Sequence, residues 1–410
     1  MSGDTTSSEV LVVGAGPAGT AAAATLARAG VDVTVLDRAT FPRDKCCGDG
    51  LTADALRRLE ELGLDPATVP SWMAVDEVTI TAPSGRRRVF PLPDAGGSYA
   101  VVARRAELDA ALVDLARDAG ARVIEGRTCV AVDDAERDTV SVTTDDATVH
   151  TARWLVAADG AWSPVRRHLG IAEPGYRGEW YAARQYFVDV GPQAASELHV
   201  WFEPELLPGY VWSFPLADGT ANVGFGILTR GSIGTGDMAQ WWDTLLARPH
   251  IRSVLGERAR AAGRMRAWPI PARLGAVELT AGRVLFVGDA AAATDPMSGE
   301  GIAQALATGT FAAEAIAAEP GAAADVVGAR YRRHVERDMG ADHALADRLS
   351  RLLSARAGAE LALTLVGANG WTRRNFARWL FEDYPRAAVM TPRRWRASTF
   401  PRRGAFSRIA

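Results

Sequence analysis

Glu9-Val-Leu-Val-Val-Gly14-Ala-Gly16-Pro17-Ala18-Gly19 decides the fold of this chain. A continuous apolar run of this kind marks a strand buried on both faces. It enters a glycine turn and leaves as an alanine-rich stretch with strong helix propensity. Gly14 permits the tight turn, Gly16 lets backbone approach a pyrophosphate, and Gly19 lets helix and strand pack closely. The phosphates are expected at the helix N-terminus, where unpaired N–H groups and the macrodipole favour negative charge. A second strand, Val31 to Leu36, ends at Asp37 and Arg38. Asp37 lies 23 residues after Gly14, close to the offset expected of a carboxylate that accepts from a ribose hydroxyl.

These two segments suit NAD as well as FAD. A third, distant in sequence, selects FAD: the strand Val284-Leu-Phe-Val287 runs into Gly288-Asp289, followed by Pro296, Gly299, Gly301 and Ile302 at the start of another helix. Asp289 is expected to accept hydrogen bonds from the ribityl chain. The backbone from Gly299 to Ile302 is expected to face the flavin N1–O2 edge and to stabilise an anionic reduced flavin.

The rest of the composition narrows the class. The 410 residues are 48% apolar and 23% charged, as in an ordinary soluble globular chain of roughly two to three structural units. Three cysteines, two of them adjacent (Cys46, Cys47), offer no disulfide framework and suit a reducing cytoplasm. The polar Met1–Glu9 segment is not expected to act as a signal peptide, and no apolar run approaches a membrane span. The six histidines are scattered without metal-ligand spacing, so no metal is expected. Lys45 is the single lysine beside 45 arginines, and it follows the ribose-binding strand directly. Chance survival of one codon is the plain alternative, but the position beside the expected cofactor favours a functional role, and Lys45 is taken with Cys47 as a candidate catalytic residue. Residues 371 to 410 hold ten arginines against Glu382 and Asp383, in a chain of net charge −3. Interleaved Trp371, Phe376, Trp379, Phe381, Trp395 and Phe400 suit either a helical cap packed on the body or a peripheral membrane contact. Pro385, Pro392 and Pro401 break any long amphipathic helix and favour the cap. Nothing else in the chain is basic, so nucleic acid is not an expected partner.

Several stretches resemble the geranylgeranyl reductase family of FAD-dependent oxidoreductases, which includes menaquinone-chain reductases. Phe41-Pro-Arg-Asp-Lys45-Cys-Cys47-Gly48-Asp-Gly50-Leu-Thr52 is similar to the family segment after the first FAD motif, with Cys46 where proline is commoner. Arg105-Ala-Glu-Leu108-Asp109 resembles a helix start whose arginine lies near FAD, and Ala158-Asp159-Gly160 resembles the Asp-Gly motif of the wider hydroxylase-like flavoproteins. Tyr210-Val-Trp212-Ser-Phe214-Pro215, followed by Gly224, resembles the substrate-domain signature. The resemblance implies hydride transfer from reduced flavin to a C=C bond of an isoprenoid or other apolar substrate. It implies Cys47 close to the flavin as a tuning or proton-relaying group, with Lys45 beside it. A small buried hydrophobe at a glycine turn is the plain alternative for Cys47.

The expected architecture is α/β: a discontinuous Rossmann-like FAD-binding domain, an inserted mostly antiparallel β-sheet substrate domain and a helical C-terminus. Residues 1–75, 99–170 and 270–345 are assigned to the first, 76–98 and 171–269 to the second, and 346–410 to the third. Aromatics from Trp180 to Phe225 crowd the insert, and alternation puts Tyr210, Trp212 and Phe214 on one face. That stripe is sheet core or, as the resemblance implies, a substrate wall. No second nucleotide fold is present, so NAD(P)H would dock transiently, or a ferredoxin-like protein would supply electrons. Two other functions fit the scaffold: an oxygen-using hydroxylase or halogenase, and a non-catalytic flavin-bound sensor. Against the first, Gly288-Asp289 is followed by alanines rather than an early histidine, and no Trp-x-Trp-x-Ile-Pro segment occurs.

Overall fold

The computed structural model describes residues 5–388, except 95, 135–137, 232 and 320, together with 403–407. Its first sheet grows outward from the strand Thr5–Val13, which pairs in parallel with Val33–Leu36 on one side and Val149–Ala157 on the other. Arg122–Ile124 and Val284–Phe286 extend the sheet in parallel on the two sides, and Thr280–Ala281 adds a short antiparallel strand beyond the latter. Val10, Val12, Val35, Leu155 and Val156 are wholly buried, as central parallel strands require. Helices Pro17–Arg28 and Ile302–Ala317 pack closely because their contact is built from small residues. A Cβ at Gly309 would lie 2.1 Å from the carbonyl oxygen of Ala18. The strand Val149–Ala157 begins earlier than its apolar residues suggest. Its polar N-terminal half pairs antiparallel with Val140–Thr144, which in turn pairs with Cys129–Asp133.

The second sheet has seven strands, in the order Arg260–Ile270, Trp180–Val188, Ala221–Leu228, Val211–Pro215, Leu198–Trp201, Glu77–Thr81 and Arg87–Pro91. Every pairing is antiparallel except Leu198–Trp201 with Glu77–Thr81. The hairpin Glu77–Pro91 thus joins strands more than a hundred residues away. The insert's aromatics do not all gather on one face. Phe187, Trp201 and Phe225 pack outward with Trp242 of the helix Met238–Leu246, whose ring stacks on Phe225 at 5.9 Å. Tyr210, Trp212 and Phe214 turn inward, toward the first sheet.

The C-terminal part is helical: Ala324–Val335, Ala341–Leu353, Arg356–Val366 and Gly370–Leu380. Phe376 packs on Phe90 of the second sheet at 5.1 Å and stacks on Trp379 at 5.8 Å, whereas Trp371 is exposed. Trp395, Phe400, Pro392 and Pro401 lie outside the described residues. Among the described residues no helix is long and apolar enough to cross a membrane.

Candidate active site

A cavity of about 1420 Å³ opens at the C-terminal ends of the parallel strands, where Val13, Leu36, Ala158 and Val287 line its floor. Ligands of open α/β sheets bind at this end. The three distant motifs of the sequence meet here: Gly14, Gly16, Pro17, Ala18, Asp37, Arg38, Asp159, Gly288, Asp289, Gly299, Gly301 and Ile302 all line the cavity.

The glycine turn divides its labour. A Cβ at Gly14, where φ is +104°, would lie 2.2 Å from the Ala158 carbonyl oxygen, and one at Gly19 would lie 1.8 Å from that of Gly14. Gly19 therefore serves strand–helix packing and does not line the cavity. A Cβ at Gly16 would meet only the end of Arg43, so its surface faces open space suited to a phosphate. Helix Pro17–Arg28 has no side-chain cap, which leaves its N-terminus for an anion. Asp37 accepts from the N–H groups of Ala15 and Ala39, both at 2.7 Å, which holds the carboxylate against the turn. Asp159 accepts from the Ser163 hydroxyl and the Val165 N–H, each at 2.8 Å, while burial pushes its pKa up to about 6. These features fit the ADP half of FAD.

The loop after the second strand crosses the middle of the cavity. Lys45 places Nζ 4.2 Å from the Trp268 ring centre and 4.0 Å from Asp289, and burial lowers its pKa. Cys47 is half-buried, with the Asp49 N–H directed at its sulfur at 3.4 Å. Burial raises the thiol pKa, so it rests as a neutral SH despite the Arg105 guanidinium beside it. Arg105 forms a bidentate pair with buried Asp109, both contacts 2.8 Å, and Arg43 meets the same carboxylate at 2.8 Å. Gly48 continues the lining.

Asp49, to which the sequence reading gave no role, organises this loop. It is fully buried at φ +65° and accepts from Tyr186 Oη at 2.7 Å and Asn222 Nδ2 at 2.8 Å. Asn222 also donates to the Cys47 carbonyl at 2.9 Å and accepts the Trp212 indole N–H at 3.1 Å. Cys47 and the aromatic wall are thus held by one network. The available signal was a carboxylate between two glycines, directly after Cys46 and Cys47.

Tyr210, Trp212 and Phe214 form the wall, with successive ring centres 6.0 and 6.1 Å apart. Pro215 does not line the cavity: alternation turns it to the other side, where it pairs with Ala221. Tyr210 Oη donates to the Ser298 carbonyl at 2.5 Å, tying the wall to the loop that precedes Ile302–Ala317. The N-terminus of that helix is not wholly free. Glu300 accepts from the N–H groups of Ile302 and Ala303 at 2.9 and 3.0 Å, a carboxylate capping its own helix. Behind it lie Asp295 and Arg386, both buried, and the partly buried Glu382, with Arg386 2.7 Å from Asp295 and 3.3 Å from Glu382. Burial pushes Glu300 up to about 7 and Glu382 up to about 8, while Arg386 holds Asp295 below its ordinary range. Beyond the wall the cavity continues between the C-terminal helices, lined by Leu349, Leu353, Leu363, Val366 and Phe376.

Comparison with known proteins agrees with this geometry. The FAD binding domain family matches residues 7–332. The menaquinone reductase of Mycobacterium tuberculosis is 40% identical over 337 residues, 75% of this chain and 76% of that protein. Digeranylgeranylglycerophospholipid reductase 1 of Methanopyrus kandleri is 34% identical over 316 residues, 75% of this chain and 79% of that protein. The crystal structure of a geranylgeranyl bacteriochlorophyll reductase-like protein from Thermoplasma acidophilum superposes with a TM-score of 0.78 at 20% identity, covering 95% of this chain and all of that one. With its glycine cradle, its buried loop carboxylate and these relatives, this chain belongs to the FAD binding domain family, in its geranylgeranyl reductase group, and is an FAD-dependent oxidoreductase.

Proposed function

We propose that the enzyme saturates C=C bonds in an isoprenoid chain. The observation that carries this reading is the continuity of the cavity. It runs from the nucleotide cradle, past Cys47 and Trp212, into an apolar extension between the C-terminal helices. That shape suits a long hydrocarbon with one bond held at the reaction centre, and the relatives named above are reductases of such lipids.

Bound FAD, once reduced, supplies hydride. The chain's residues bind, orient and protonate. Saturation adds one hydride and one proton across the double bond. Cys47, a neutral thiol on the cavity surface, is the residue proposed to hold that proton, and Arg105 keeps the sulfur oriented. Gly14, Gly16, Asp37 and Asp159 are proposed to seat the nucleotide, and Asp289 with Lys45 the ribityl side. Tyr210, Trp212 and Phe214 would exclude water around the alkene. The electron donor is proposed to be a nicotinamide or a ferredoxin-like protein docking transiently, on the cytoplasmic side.

Anaerobic incubation of the reduced enzyme with isoprenyl quinones, followed by mass spectrometry, tests the reading. Gain of two hydrogens per event is expected; gain of oxygen or halogen would overturn it in favour of an oxygen-using flavoenzyme. Cys47→Ala in pre-reduced enzyme should slow alkene reduction by about 10²-fold, the usual contribution of a positioned acid. Unchanged turnover would remove the thiol from the mechanism.

A further inference from the structure

Four of the eight large hydrophobic side chains left exposed among the described residues cluster on three consecutive helices. They are Leu352 on Ala341–Leu353, Leu361 and Leu365 on Arg356–Val366, and Trp371 on Gly370–Leu380, between 54% and 68% exposed. Leu352, Leu365 and Trp371 also line the cavity, so the apolar patch is the rim of its mouth. Residues 341–380 carry six arginines against three acids, a balance of +3 in a chain whose total is −3. Of these, one acid and one arginine are turned to the body: Glu360 accepts from Ser84 at 3.1 Å, and Arg378 pairs with buried Asp383 at 2.6 Å, so the balance of the rest is unchanged.

We propose that these three helices dock on an anionic lipid bilayer, with Leu361, Leu365 and Trp371 in the headgroup–acyl boundary and the cavity mouth facing the lipid. Short helices with an apolar edge and flanking arginines lie in that interface, and tryptophan favours it. Anionic headgroups complement the local positive charge. A second copy of the chain is a poorer occupant, because two such faces would oppose positive charge to positive charge and seal the mouth. The docking gives an isoprenoid tail a path from bilayer to cavity without crossing water. It rests on the reading of the cavity as an isoprenoid site.

Flotation of the FAD-loaded full chain with phosphatidylcholine vesicles, with and without phosphatidylglycerol, tests it. Binding should rise with phosphatidylglycerol and weaken with salt. Leu361→Glu/Leu365→Glu and Trp371→Glu should lower the vesicle-bound fraction about tenfold at unchanged flavin content. Val326→Glu, at an exposed position on the helix Ala324–Val335, should not. Leu361 does not line the cavity. Leu361→Glu should therefore spare reduction of a detergent-dispersed quinone and slow reduction of the same quinone in vesicles. Equal vesicle binding by wild type and rim variants would overturn the proposal. So would light scattering that shows the wild type to be a dimer and Leu361→Glu a monomer, which assigns the patch to a second copy. Rim-dependent binding by a protein that reduces no isoprenoid would sustain the docking and remove the proposed reaction.

Discussion

Trp212 lies flat against the next strand only because position 224 has no side chain. A Cβ there would come 2.2 Å from the indole Cζ2 and 2.4 Å from the carbonyl oxygen of Ala183, and a strand carbonyl has nowhere to retreat. Gly224→Ala should therefore destabilise the protein by about 1–3 kcal/mol and shift its tryptophan emission; an unchanged melting temperature would refute this packing. Asp49 makes a comparable demand in polar form. Tyr186→Phe removes one of the donors to a buried carboxylate and should lower stability by about 1–3 kcal/mol, measured by urea unfolding at neutral pH. An unaffected midpoint would show that the carboxylate is neutral there or finds water instead. The two residues differ in how visible they were. Trp212 stood in an alternating aromatic segment, whereas Asp49 becomes important only through Tyr186 and Asn222, more than a hundred residues away. Side-chain networks that bridge two sheets leave no local period to read.

Legibility follows burial at the scale of whole elements. The central strands announce themselves because both faces are covered, so Val10–Val13 and Val284–Phe286 are apolar without interruption. The eleven-residue edge strand Arg260–Ile270 escaped notice because it is largely exposed and carries Arg260, Arg264 and Arg266, which hide any alternation. The segment after Leu380 was equally opaque. Arg386, from that segment, is buried against Asp295 and Glu382 and clasps the loop that ends at Gly301. Removing the cation strands the Asp295 carboxylate, and breaking a buried pair destabilises by about 3–5 kcal/mol. Arg386→Leu should therefore unfold earlier in urea and release FAD more readily than wild type. Adding Asp295→Asn should recover part of the loss; no recovery would mean that the loop is held by packing and not by charge.

Across the whole molecule the buried carboxyls and histidines pull stability in opposite directions as pH changes. His199 is pushed by burial down to about 4, and His150 and His343 are also lowered. Such groups bind fewer protons folded than unfolded, so they make stability rise with pH up to the ordinary histidine value near 6.5. Glu300 and Glu382 do the reverse: raised to about 7 and about 8, they hold protons in the folded state that the unfolded chain has already released. Asp295, held low beside Arg386, acts only in the acid range. Between about pH 6.5 and 8 the histidine contribution is exhausted and the raised carboxyls dominate. Unfolding free energy of the FAD-loaded protein should therefore fall across that window, each titrating carboxyl contributing a slope of up to about 1.4 kcal/mol per pH unit. Glu382→Gln keeps a neutral side chain in the same pocket, so it should flatten the fall and be more stable than wild type at pH 8. Urea midpoints at three pH values decide the matter. A wild-type curve that is level across the window, or a Glu382→Gln curve parallel to it, would show that Arg386 already keeps both glutamates ionised.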